Sequence, residues 1–197
     1  MFRRIAVLFA TLVALAAASP VLAANPQVEL DTSLGKIRLE LYSEAAPKTV
    51  EHFLAYVKSK QFEGTQFHRV IPGFMIQAGG ITPEFTEKPR SLPPIPHEGE
   101  SSMKAGLSNA PGTIAMARTG DPQSANAQFF INVADNKKLD YREPSPMGYG
   151  YVVFGKVVAG MDVVNKIAGT PTGSGGPFAT DVPKTIVLIK SVTIVTP

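Results

Sequence analysis

The chain has 197 residues, 19 of them basic and 16 acidic, a formal charge of +3, and neither cysteine nor tryptophan. That length suits one domain with a core of its own, and the lack of cysteine excludes disulfide staples, thiol catalysis and thiolate metal sites. Beyond Arg3 and Arg4 no Lys/Arg cluster exceeds a pair, so neither nucleic acid nor a membrane surface is an expected partner.

Residues 1–24 read as a secretory signal. Arg3 and Arg4 give the positive start, Ile5–Ala18 is an uncharged apolar run, and Pro20 breaks it before a cleavage expected after Ala23 or Ala24. The run is short for a bilayer span. Residues 25–197 then form a single domain without internal repeats. A secreted domain of this size can hold together by core burial without disulfides, and the missing Asn-x-Ser/Thr sequon suits a bacterial export route; the periplasm is expected, with no membrane contact once the signal is removed.

The first segment of the domain alternates. Ile37, Leu39 and Leu41 face one way, with Lys36, Arg38 and Glu40 opposite, and Thr32-Ser33-Leu34-Gly35 connects this strand to Val28–Asp31 as a hairpin. A helix begins at Pro47, whose missing N–H is not needed in a first turn, and carries Val50, Phe53, Leu54 and Val57 as its apolar stripe before Gly64 closes the segment. Next comes Phe67-His68-Arg69-Val70-Ile71-Pro72-Gly73-Phe74-Met75-Ile76-Gln77, with a Pro-Gly turn at its middle.

Pro83, Pro89, Pro93, Pro94 and Pro96 rule out regular helix or central strand and predict an ordered surface loop. Short strands are expected at Gly112–Ala117 and Gln128–Val133. A third, Val152–Val158, is nearly all apolar and is expected to be buried on both faces. Met161–Ala168 has helical spacing between two glycines, and Thr185–Val195 reads as a strand pair or one bent strand. Two helices and at least seven short strands predict a mainly β domain, either a closed barrel or a sandwich with helices attached.

Arginine keeps its proton, so Arg69 cannot act as a general base; a site built on it works through hydrogen bonds or fixed charge. His52, His68 and His97 lack metal-ligand spacing, and each is expected to be a satisfied or solvated histidine. No nucleophile-elbow sequence is present, and Gly173-Ser174-Gly175-Gly176 does not open a helix after a strand as phosphate loops do. No metal or cofactor is therefore expected. What remains is an apolar set with polar points: Arg69, Phe74, Met75 and Gln77, then Ala115–Arg118, then Gln128–Ile131. In a strand Gln128 and Phe130 face one way and Phe129 the other.

The run from Phe67 to Gln77, together with Thr113-Ile114-Ala115-Met116-Ala117-Arg118, Gln128-Phe129-Phe130-Ile131 and Val153-Phe154-Gly155-Lys156-Val157, resembles the signature blocks of the cyclophilin family of peptidyl-prolyl cis-trans isomerases, in the family's order. The resemblance runs from about Val28 to the C-terminus and, with the signal, points to a periplasmic bacterial member. It implies a closed eight-stranded antiparallel β-barrel capped by two α-helices. It also implies a monomer that isomerises X-Pro bonds in unfolded or flexible proline-containing polypeptides as exported proteins fold.

By the same resemblance Arg69 is the catalytic arginine, and Phe74, Met75, Phe130 and Leu139 form the proline pocket. Gln77, Gln128 and the Ala117–Arg118 backbone hold the peptide. Lys138 stands where the family has a pocket-rim tryptophan that supports cyclosporin, Tyr151 where it has a rim histidine, and Arg118 where it has an asparagine. Tyr151 and Leu139 still offer apolar surface. These rim cations motivate an alternative, a proline-peptide binding module or chaperone with incidental isomerase activity.

Overall fold

The computed structural model describes residues 24–195; the expected signal segment, Ala24 excepted, lies outside them. The leading alternation becomes β1 (Gln27–Thr32) and β2 (Gly35–Leu41), paired antiparallel through the expected hairpin. Their inward residues Val28, Leu30, Ile37, Leu39 and Leu41 are completely buried.

Helix α1 (Pro47–Lys58) starts at the expected proline but has no cap of its own, since Ala46 precedes it and its first turn holds no acidic residue. The cap comes from elsewhere in the chain. The Glu98 carboxylate accepts from the Lys48 and Thr49 backbone N–H groups at 3.0 and 2.8 Å and from the Thr49 hydroxyl at 2.7 Å, which satisfies first-turn donors that would otherwise lack partners. The buried face is also wider than the aliphatic stripe: it includes Thr49, His52 and Tyr56, while Leu54 is only partly buried.

The Pro72-Gly73 turn, with Gly73 at φ +68°, joins β3 (Arg69–Ile71) to β4 (Met75–Ala78). The proline-rich stretch that follows is irregular, with Leu92 and Ile95 packed on the core. A short helix not expected from the sequence, α2 (Gly99–Lys104), comes directly after it; six residues are too few to show a periodic stripe. Next are β5 (Thr113–Met116), β6 (Phe129–Asn132) and β7 (Val153–Ala159). The expectation that the last of these is buried throughout is corrected: only Val153, Phe154 and Gly155 are buried, and Lys156, Val158 and Ala159 are exposed.

Helix α3 (Met161–Ala168) lies between Gly160 and Gly169 as expected. The glycine-rich segment after it forms a separate hairpin of β8 (Thr172–Gly175) and β9 (Phe178–Pro183), and the tail is one strand, β10 (Ile189–Val195).

Eight strands form one antiparallel sheet in the order β10-β1-β2-β7-β5-β6-β4-β3. It is a curled half-barrel, with three α-helices among the described residues, rather than the closed barrel with two that was expected. The ladder ends at β3 and β10. The chain between α1 and β3 crosses the remaining gap without becoming a strand: the Gly64 and Phe67 N–H groups donate to the Ile189 and Val187 carbonyls, each at 2.9 Å, and Gln66 forms an isolated bridge to Leu188.

The concave face holds the main core, including Phe53, Phe62, Phe129 and Phe154 in mutual aromatic contact. A smaller apolar cluster of Met75, Ala115, Phe130 and Val153 sits apart from it.

Candidate active site

Cross-strand register builds the site. Arg69 on β3 is opposite Gln77 on β4, Gln77 is opposite Phe130 on β6, Phe130 is opposite Ala115 on β5, and Ala115 is opposite Val153 on β7. Because side chains alternate between faces, this row shares the outer face, while Val70, Ile76, Ile131 and Ile114 form the adjacent row in the main core. A guanidinium and an amide therefore stand at one end of an apolar floor.

Nine of the ten expected residues line one cleft of about 150 Å³: Arg69, Phe74, Met75, Gln77, Ala117, Arg118, Phe130, Leu139 and Tyr151. The tenth, Gln128, is not on its wall and precedes β6 rather than lying in it. It lines an adjoining cavity of about 270 Å³ that shares Gln77, Ala117 and Arg118 with the cleft. The two amides are joined, Gln77 Nε2 donating to Gln128 Oε1 at 2.8 Å. That bond orients both and leaves the Gln77 oxygen as an acceptor and the Gln128 NH₂ as a donor at the junction of the two cavities.

The rim departures are organised. Arg118 lies 4.8 Å above the Tyr151 ring and donates to the Gly150 carbonyl at 2.9 Å. Tyr151 meets Phe130 edge-on at 5.4 Å. Lys138 places its ammonium 5.3 Å above the Phe74 ring, so it extends cationic cover over the apolar floor.

Beneath the rim is a polar network that sequence reading missed. Asp140 accepts from the Ser108 hydroxyl, the Asn109 N–H and the Asn109 side chain at 2.5, 2.7 and 2.9 Å. Asn132 donates to Asn109 at 3.1 Å, and Asn136 donates to Asn132 and to the Phe74 carbonyl, both at 2.8 Å. This network anchors Phe74 and the turn carrying Leu139. Its members are scattered along the chain, so no local pattern marks them. Asp181 was missed for the same reason; its Oδ2 lies 3.7 Å from Arg69 Nε.

The histidines are neither solvated nor fully satisfied, contrary to expectation. His52 and His68 are buried and His97 is half-buried, and each has a ring nitrogen without a protein partner. Burial holds His68 well below its ordinary value of 6.5, at about 4. The neighbouring Arg69 charge adds to that effect, while hydrogen bonding to the Gln66 backbone and the Gln128 side chain opposes it. His68 is thus a neutral support under the site.

With the folded-state pKa depressed, the unfolded chain takes up the proton first. The stabilisation is complete above about 6.5 and is lost as pH falls towards 4. This group alone is expected to remove about 2–3 kcal/mol over that window. Denaturant unfolding of His68→Gln should show a correspondingly shallower acid slope than wild type, and equal slopes would remove the assignment. Burial shifts His52 and His97 in the same direction.

Comparison with known proteins follows the same outline. The family model for cyclophilin type peptidyl-prolyl cis-trans isomerase/CLD matches residues 27–194. The peptidyl-prolyl cis-trans isomerase cyp18 of Streptomyces antibioticus is 53% identical over 167 residues, covering 85% of this chain and 97% of its own. The peptidyl-prolyl cis-trans isomerase A of Dickeya dadantii is 44% identical over 197 residues, covering 99% of both. The crystal structure of a Cryptosporidium parvum cyclophilin type isomerase in the presence of the dipeptide Ala-Pro superposes with a TM-score of 0.67 at 25% identity, covering 87% of this chain and 99% of that one.

Proposed function

Because the chain belongs to the cyclophilin-type peptidyl-prolyl cis-trans isomerases and is such an isomerase, we propose that Arg69 accelerates the reaction by hydrogen bonding to the twisted prolyl amide. Rotation about a peptide bond faces a barrier of about 18–20 kcal/mol because conjugation gives the C–N bond double-bond character. At the twisted transition state conjugation is lost and the prolyl nitrogen regains its lone pair. A donor directed at that nitrogen binds the twisted form better than either planar form, which is the condition for catalysis.

In this reading Phe74, Met75, Phe130 and Leu139 hold the pyrrolidine ring and exclude water from the donor. Gln77, Gln128 and the backbone at Ala117–Arg118 hold the flanking peptide. The observation that carries it is the single row running from Arg69 through Gln77 to the Phe130 floor. Ala-Pro dipeptide, used with the Cryptosporidium relative, is the simplest ligand to try. The test is protease-free NMR exchange on a panel of X-Pro peptides. Acceleration by wild type that depends on Arg69 supports the reading.

The clients we propose are flexible proline-containing segments of exported proteins, handled in the periplasm by a monomer. The signal-like leader supports export. Protein recovered from the periplasmic fraction should begin at Ala24 or Asn25; cytoplasmic protein retaining Met1 would contradict this.

Lys138 and Arg118 favour one second reading, in which binding acidic proline segments is the main task and isomerisation incidental. Equal affinities for Glu-Pro and Lys-Pro peptides would sink it.

A further inference from the structure

We propose that Asp181 is a positioning residue for Arg69, an inference that rests on Arg69 acting at the prolyl amide. The β8–β9 hairpin stands outside the main sheet, and β9 lies against β3. Its Phe178 ring packs on His68 at 5.8 Å and on Phe85 at 6.3 Å, which ties the hairpin to the residue preceding Arg69. From this hairpin Asp181 directs Oδ2 to within 3.7 Å of Arg69 Nε.

Two observations set this contact apart from a casual surface pair. Asp181 lies at φ +69° inside a strand, in the left-handed region that side chains other than asparagine and aspartate seldom occupy. Strained backbone of this kind persists where the surrounding structure over-determines it, and it clusters at functional sites. What the conformation delivers here is a carboxylate beside the arginine.

The second observation is the edge it meets. The guanidinium is planar; Nε–H shares one edge with a single amino N–H, while the end-on edge is formed by both amino groups. A carboxylate at Nε restricts rotation of the plane and leaves the end-on edge for the cleft that Arg69 lines. The side chains are 47% and 33% exposed, so solvent screens the pair. It biases an orientation rather than locking it, and its loss should change the rate by about threefold to fivefold.

Asp181→Asn tests this, because asparagine keeps the shape and tolerates the left-handed backbone while removing the charge. Asp181→Gly, which relieves the backbone, carries the same reading should the first variant fold poorly. The measurements are kcat and KM by protease-free NMR exchange, and the Arg69 Nε–Hε NMR correlation, assigned by its loss in Arg69→Lys. The expected result is a folded variant with kcat down about threefold to fivefold, KM little changed, and an Arg69 correlation that shifts and exchanges faster with solvent. An Arg69 correlation that stays in place in folded Asp181→Asn overturns the proposal. Full activity in Arg69→Ala would instead remove the role assigned to Arg69, and the NMR reading of its orientation separates that failure from this one.

Discussion

Arg69→Ala is expected to lower kcat/KM on a short Ala-Pro peptide by about 10²–10³-fold, the usual cost of deleting one donor directed at charge that develops in a transition state. Stability should barely change, within about 0.5 kcal/mol. The arginine side chain is 47% exposed and its ion pair with Asp181 spans 3.7 Å, so little native energy rests on it. That separation makes the test clean: a circular dichroism melt close to wild type, combined with near-complete loss of exchange catalysis, assigns the effect to the reacting amide. Arg69→Lys sharpens it, since lysine keeps the charge but loses the fork. Turnover near wild type in a folded Arg69→Ala protein would remove Arg69 from the mechanism and leave the apolar cleft to act by binding alone.

The second large effect contrasts two adjacent residues. Phe129 is completely buried and meets Phe53 and Phe62 edge-on at 5.6 and 5.5 Å in the main core. Phe129→Ala is expected to cost about 3–5 kcal/mol through lost burial and the cavity left behind. Phe130 points to the other face, into the small cluster with Met75, Ala115 and Val153 that floors the cleft. There the cavity opens to solvent and can refill with water. Phe130→Ala should therefore cost less stability but lower kcat/KM by about tenfold or more, as expected when a hydrophobic pocket loses its contact surface. Denaturant unfolding and exchange assays on both variants decide it. If Phe130→Ala proved the more destabilising and kept its rate, the division between core face and site face would be wrong.

That division is legible in the sequence, because alternation along a strand is a local property. Gln77, Phe130 and Arg69 can be named for the same reason: each lies in a dense run where polar points interrupt apolar sequence. Strands β1, β2, β5 and β6 and helices α1 and α3 also follow from patterns only a few residues long. Helix α2 is too short to have such a pattern, and β8 is built from glycines and small polar residues that carry no hydrophobic period.

Sheet order is a different kind of question. Whether eight strands close, and that the chain near Gly64–Phe67 spans the gap without joining the ladder, depends on pairings between distant segments that no local pattern encodes. The same holds for the groups that finish the site. Glu98 caps α1 from about fifty residues away, Asp140 and three asparagines hold the rim, and Asp181 reaches Arg69 from a hairpin outside the sheet. Local periodicity by itself determined which faces are apolar and where polar points interrupt them, since burial and strand alternation act over neighbouring residues; the roles proposed for those points came from the family resemblance. Only the tertiary structure decided which polar groups meet, because a buried donor, or a strained carboxylate, takes whatever partner the folded chain brings within reach.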